Sequence, residues 1–262
     1  MTVLTIDVGN SQILFGVFIE KKLKFKFIKS NQTVCSSDEL GLFMVLSLRE
    51  YKIYPDNILY IVISSVVPKI NDPIKYACIK YFNCHPFILE INSNLEIGIK
   101  STCSNFTEIG SDRIANCIGT NFLFPNKNAI IVDFGTATTI CILKNGIEYI
   151  GGIIFPGLHL LMKSLEENTA KLSEVNIKIP KKIIGNSTEE HIQSGIYFGT
   201  LGLIKETIKH VRSTLFTGKN MVIVATGGFS NIFSLNKLFH FIEKDLVLFG
   251  LLKFLYLNLK KI

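Results

Sequence analysis

No stretch of this 262-residue sequence is apolar for long enough to cross a bilayer. The best candidate, Leu246 to Leu259, is interrupted by Lys253 and falls short of the ~20 residues a spanning helix needs, so a terminal core helix is expected there. A basic region ahead of the N-terminal apolar run is also missing, and Asp7 follows almost at once, which argues against a secretory signal. The six cysteines, Cys35, Cys78, Cys84, Cys103, Cys117 and Cys141, include no CxxC pair. Cys84 and His85 are adjacent but have no second such pair to complete a zinc site, so buried thiols in a reducing cytoplasm are expected. The common nucleotide-binding signatures are lacking too. The one Gly-Lys step, Gly218-Lys219, is followed by Asn220, and no GxGxxG follows a strand, which excludes a Walker loop and a dinucleotide fingerprint.

What is present describes a globular protein with a substantial core, 48% hydrophobic and 19% charged, long enough for one large or two small domains. The net charge of +7 comes from scattered lysines. It reads as compositional drift with some attraction for anionic substrates, because no helix-turn-helix, zinc or aromatic-basic signature accompanies it.

A pattern occurs twice. Val3 to Asp7 is an apolar strand, Gly9-Asn10-Ser11 turns, and Gln12 to Phe18 is a second apolar run; a turn near Lys21-Lys22 leads to an alternating strand from Leu23 to Ile28. Later, Asn128 to Asp133 is a strand, Phe134 to Thr139 turns, Ile140 to Leu143 is a strand, and Lys144-Asn145-Gly146 is a hairpin signal before Ile147 to Ile150. Asp7-Val-Gly-Asn-Ser and Asp133-Phe-Gly-Thr-Ala are one device, and its repetition predicts a duplicated domain. Helices are predicted over Ser37 to Tyr51, Ile114 to Phe124 and Thr188 to Arg212, and buried strands over Asn57 to Val67 and Met221 to Thr226. The order βββαβα in each half is that of a ribonuclease H-like domain, and the expected halves are residues 1–115 and 116–262.

A glycine after an acidic strand end lets the backbone approach a phosphate closely, with Asn10, Ser11, Thr136 and Thr138 as further donors. The carboxylates of Asp7 and Asp133 would repel phosphate unless a cation such as Mg²⁺ lies between. Between the halves stands Gly110-Ser111-Asp112-Arg113. Asp112 could accept a proton from an attacking hydroxyl, and Arg113 could hold an anionic group by a forked contact.

The ordered set Asp7-x-Gly9-Asn10-Ser11, Ser64-Ser65-Val66-Val67-Pro68, Gly110-x-Asp112-Arg113 and Asp133-x-Gly135-Thr136-Ala137 resembles the type III pantothenate kinases. So do Gly151-Gly152, Pro156-Gly157, Asn168-Thr169-Ala170, Gly185 to Glu190, Ser194-Gly195 and Ala225-Thr226-Gly227-Gly228. The resemblance implies an α/β fold of two ribonuclease H-like domains, the actin-like ATPase fold, with the active site in the cleft between them. It implies a cytoplasmic homodimer whose substrate pocket is partly built by the second subunit. ATP, Mg²⁺ and a monovalent cation, K⁺ or NH₄⁺, are the implied cofactors, and pantothenate the implied substrate, with neither nucleic acid nor membrane as a partner. Carried over by position, Asp7, Val8, Gly9, Asn10, Ser11, Gln12, Ile13 and Leu14 resemble the first phosphate loop, and Thr136 part of the second. Asp112 resembles the general base; Gly110, Ser111, Asp112, Arg113 and Thr188 the pantothenate contacts; and Asp133 the ligand of the monovalent cation. Cys103 and Phe106 stand where the family usually has a substrate-contacting Tyr and then a Pro, Ser173 where a Pro is common, and Phe229 where an Asp is common. Two other readings are an accessory transcription factor of the same family and a kinase acting on another hydroxyl acceptor, such as a sugar.

Overall fold

The computed structural model describes residues 1–33, 35–91, 93–170 and 172–259. It divides into two compact units, residues 1–123 with the C-terminal helix from Leu246, and residues 124–245. The expected division at 115/116 therefore differs in two ways: the helix after Gly110 closes the first unit, and the last helix returns to it.

In the first unit, β1 (Thr2–Val8), β2 (Gln12–Ile19) and β3 (Lys22–Ser30) form a meander, followed by α1 (Ser37–Arg49), β4 (Tyr60–Ser65), α2 (Pro68–Phe82) and β5 (Phe87–Ile88). The sheet order is β3-β2-β1-β4-β5, with β1 antiparallel to β2 and parallel to β4. Val3 to Ile6 are buried without alternation, as a central strand requires. On β3, by contrast, Lys22, Lys24, Lys26 and Ser30 alternate outward, which suits an edge strand. β4 is shorter than the sequence predicts, because Pro55–Asn57 forms a helical turn and Pro68 opens α2 instead of ending the strand. A capping box starts α1: Ser36 Oγ accepts from the Glu39 N–H at 3.2 Å, and Glu39 Oε2 accepts from the Ser36 N–H at 2.7 Å. Asp38 ties α1 to α2 by accepting from Lys80 Nζ at 2.7 Å and Tyr81 Oη at 2.9 Å.

The two-residue strand β6 (Lys100–Ser101) precedes α3 (Ser111–Leu123), which packs on α6 (Leu246–Leu259). Glycines make that crossing close. A side chain on Gly119 would meet the Leu246 carbonyl, and one on Gly250 the Ala115 carbonyl. Asn258, buried on α6, accepts from the Glu96 N–H at 2.8 Å and donates to the Glu96 carbonyl at 3.0 Å. α6 is buried nearly all round, as a sequence apolar but for Lys253 and Asn258 dictates. Among the described residues no helix is long and apolar enough to cross a membrane.

The second unit repeats the meander as β7 (Asn128–Phe134), β8 (Ala137–Lys144) and β9 (Glu148–Pro156), then α4 (Leu158–Glu167), α5 (Thr188–Thr214), β10 (Met221–Thr226) and β11 (Phe241–Ile242). Its strands run in the order β11-β10-β7-β8-β9. The hairpin between β8 and β9 turns through Asn145 and Gly146, both at positive φ, the backbone that an Asn-Gly turn supplies. Ile130, Val132 and Phe134 on β7 pack against Ile192, Ile196 and Ile204 of α5. Duplication shows in the register: Asp7 faces Ser64 on the parallel neighbour β4, and Asp133 faces Thr226 on the parallel neighbour β10. Both units are ribonuclease H-like, and the fold is that of the actin-like ATPases.

Candidate active site

The end of β1 positions the first group. Asp7 is the last residue but one of the strand and half-buried, and the Ser64 hydroxyl donates to its Oδ1 at 2.6 Å. The chain then turns, the Gly9 N–H donating to the Gln12 carbonyl at 3.0 Å. Asn31 closes the turn from outside, its side-chain amide donating to the Gly9 carbonyl at 2.8 Å and its N–H to the Ser11 carbonyl at 3.0 Å. Asn10, Ser11 and Gln12 are exposed at the tip. Val8 and Ile13 send their side chains into the core, so those two serve the loop as anchors.

The second group lies at the start of α3. The helix begins at Ser111, one turn earlier than the sequence predicts, which places Asp112 and Arg113 in its first turn. Ser111 Oγ accepts from the Ser65 N–H at 3.0 Å and donates to the Ser65 carbonyl at 2.9 Å. Asp112 Oδ1 accepts from the Arg113 N–H at 2.7 Å. A Cβ on Gly110 would lie 2.5 Å from Asp112 Oδ1 and 3.2 Å from Val66 Cγ1, so glycine leaves the carboxylate its place. Burial pushes the Asp112 pKa above the ordinary value, with the bond from the Arg113 N–H and the Arg113 charge opposing. A carboxylate so raised is better matched to taking a proton near neutral pH than a solvated one. Cys103 is held within its own loop, its N–H donating to Ser101 Oγ at 3.0 Å.

In the second unit, Asp133 occupies on β7 the place that Asp7 has on β1. Gly135 and Thr136 are exposed beyond it, the Gly135 N–H donating to the Ala137 carbonyl at 3.2 Å and the Gly157 N–H to the Thr136 carbonyl at 3.1 Å. Thr138 is buried and so is not at this tip. Gly227 abuts the aspartate at a φ of 86°, and a Cβ there would lie 2.5 Å from Asp133 Oδ1. Phe229 packs on the second core and its N–H donates to the Phe134 carbonyl at 3.4 Å. Thr188, exposed at the start of α5, lines a cavity of about 530 Å³ with Phe155, Leu161, Leu165, His191 and Thr200.

Two features escape the sequence reading: the hydrogen bond from Ser64 to Asp7 and the pair of hydrogen bonds between the Ser111 hydroxyl and the Ser65 backbone. Their signal is the pair of serines that ends an apolar strand. Among the described residues no set of three or more His, Cys, Asp or Glu side chains could hold a metal ion by itself. A magnesium ion ordinarily rests on one or two carboxylates plus substrate phosphates, and Asp7 beside an exposed polar turn fits that demand.

The model of the type III pantothenate kinase family matches residues 3–210, a span that holds every candidate residue from Asp7 to Thr188. The chain belongs to this family. A type III pantothenate kinase of Legionella pneumophila (strain Corby) is 43% identical over 249 residues, 95% of this chain and 96% of that one. The type III pantothenate kinase 1 of Francisella tularensis subsp. holarctica (strain OSU18) is 41% identical over the same shares. Among solved structures, a conserved Campylobacter jejuni protein placed in the Baf family of transcriptional activators is similar with a TM-score of 0.64 at 21% identity, covering 98% of this chain and 99% of that one. The ethanolamine utilization protein EutJ of Carboxydothermus hydrogenoformans is similar with a TM-score of 0.54 at 12% identity, covering 97% and 90%. Those two likenesses are of fold alone. The transcription-factor reading therefore draws nothing from the first, whereas the relatives above 40% identity are named as type III pantothenate kinases.

Proposed function

We propose that the chain transfers the γ-phosphoryl group of ATP to the primary hydroxyl of pantothenate, giving 4′-phosphopantothenate for coenzyme A synthesis. The observation that carries this reading is Asp112, a carboxylate with a raised pKa in the first turn of α3, beside Arg113, in a member of this family. In this reading Asp112 takes the proton of the attacking hydroxyl, and Arg113 holds the substrate carboxylate, since its guanidinium stays charged at any working pH. The exposed Asn10, Ser11, Gln12 and Thr136 offer donors to the nucleotide phosphates. Bound Mg-ATP supplies the phosphoryl group and neutralises charge on its β- and γ-oxygens. We assign Asp133 to a monovalent cation, K⁺ or NH₄⁺, and Thr188 to a second pantothenate contact within a homodimer.

A coupled assay of ADP release with pantothenate, with hexoses and with no acceptor tests the reading. Turnover is expected with pantothenate alone, and more of it in K⁺ than in a buffer of Na⁺ and Mg²⁺. Phosphorylation of a hexose with pantothenate ignored would refute the acceptor, and full activity without K⁺ or NH₄⁺ would remove the role of Asp133. Arg113→Met is expected to raise the KM for pantothenate ~10–150-fold, the worth of a charge-assisted bond of ~1.5–3 kcal/mol, and to leave the KM for ATP unchanged. An unchanged pantothenate KM would show that Arg113 does not hold the carboxylate.

A further inference from the structure

We propose that Ser111 is a positioning residue for Asp112, its hydroxyl clamping the first turn of α3 to the end of β4 and, through it, to the Asp7 loop. The inference rests on Asp112 as the base. A helix-start serine ordinarily accepts from an N–H two or three residues on in its own helix. Ser111 does otherwise: its hydroxyl both accepts from and donates to the backbone of Ser65, a residue 46 positions away. Two bonds from one oxygen to the N–H and the carbonyl of one residue fix direction as well as distance. The anchor is firm. Ser65 pairs with Val8, the Val66 N–H donates to the Val8 carbonyl at 3.1 Å, and Ser65 Oγ accepts from the Val67 N–H at 3.2 Å.

The neighbouring residue completes the device. Ser64 donates to Asp7 at 2.6 Å, while Ser65 receives Ser111 through its backbone. Adjacent residues of one strand thus hold the carboxylate of the first loop and the turn that carries Asp112. The spacing of those two acids is set by a single peptide unit at the end of a central strand. Gly110 leaves no Cβ to displace the Asp112 carboxylate. Catalytic groups must be held within about 0.5 Å of the productive geometry, and a hydroxyl clamp one residue before the base provides that hold.

Ser111→Ala and Ser111→Thr, measured with ATP and pantothenate beside Asp112→Asn and with a thermal melt of each, test the proposal. Ser111→Ala is expected to lower kcat ~10–100-fold, the cost of slight misplacement, with the KM for ATP within about twofold. Ser111→Thr, which keeps the hydroxyl, should recover kcat to within about threefold. A lower melting temperature in Ser111→Ala with wild-type kcat would reduce the clamp to a structural tie and overturn the proposal. Should Ser111→Ala not fold, Ser111→Cys preserves the volume with a much weaker donor, and the same split between kcat and KM decides. An inactive Asp112→Asn with an unimpaired Ser111→Ala defeats the clamp alone; a fully active Asp112→Asn defeats the base assignment and the clamp with it.

Discussion

Asp112→Asn is expected to lower kcat by ~10²–10⁴-fold, the usual worth of a positioned base, while the protein becomes no less stable. The two halves of that expectation come from one observation. The carboxyl is desolvated, so its charged form is disfavoured and its pKa lies above the usual 3.8. A group whose folded pKa is raised adds stability that is fully present below the unfolded pKa and is lost as pH rises through the folded value. At neutral pH the ionised Asp112 therefore costs stability. The amide of Asn carries no charge to desolvate, and its oxygen can still accept from the Arg113 N–H, so the bond at 2.7 Å has a successor. Melting temperatures of the two proteins should converge in acid below about pH 4 and separate in favour of Asn as pH rises through the raised pKa. In kinetics, the acidic limb of kcat/KM for pantothenate should sit above the ordinary carboxylate value. Turnover of Asp112→Asn within two- or threefold of the parent would rule Asp112 out as the base.

Much of this was legible because it is local. An apolar strand, an aspartate and a glycine turn can be read within ten residues, and the structure repeats them in register, Asp7 opposite Ser64 and Asp133 opposite Thr226. The start of α5 was legible for the same reason, since Ser187 and Glu190 form its cap. What the sequence concealed depends on distant partners. α6 is apolar nearly all round, with only Lys253 and Asn258 polar, so its pattern names no side and no unit. Its place beside α3 follows from Gly119 and Gly250, more than a hundred positions apart, each giving a carbonyl room to approach. The early start of α3 was hidden because Ser111 and Asp112 resemble loop residues, and what holds that turn is a strand end reached only in three dimensions. The core and the acidic turns thus follow from short-range pattern, whereas the tie between the acids does not.

Gly227→Ala is expected to destabilise the second unit and to lower activity ~10²-fold or more, while Gly228→Ala one position on leaves stability within ~0.5 kcal/mol. The contrast is set by surroundings, as both are glycines after the same strand. At Gly228 an added Cβ meets nothing within 4 Å. At Gly227 the backbone has a φ of 86°, which an L side chain adopts only at a cost, and the added carbon would lie 2.5 Å from Asp133 Oδ1 and 2.7 Å from both N and C of Phe134. The carboxylate could swing aside, but the backbone of Phe134 cannot. It is held by the pairing of β7 with β8, Phe134 opposite Thr138, and next to Asp133 opposite Thr226 on β10. Strained backbone and overpacking each cost ~1–3 kcal/mol, and relief of either would move Asp133. Because Asp133 is assigned to the monovalent cation, the two variants separate a structural effect from a functional one. Urea unfolding should show the loss of stability in Gly227→Ala alone, and the K⁺ concentration for half-maximal activity should rise in Gly227→Ala and stay unchanged in Gly228→Ala. Parental stability together with a parental K⁺ response in Gly227→Ala would mean that the contact between Gly227 and Asp133 does not shape the site.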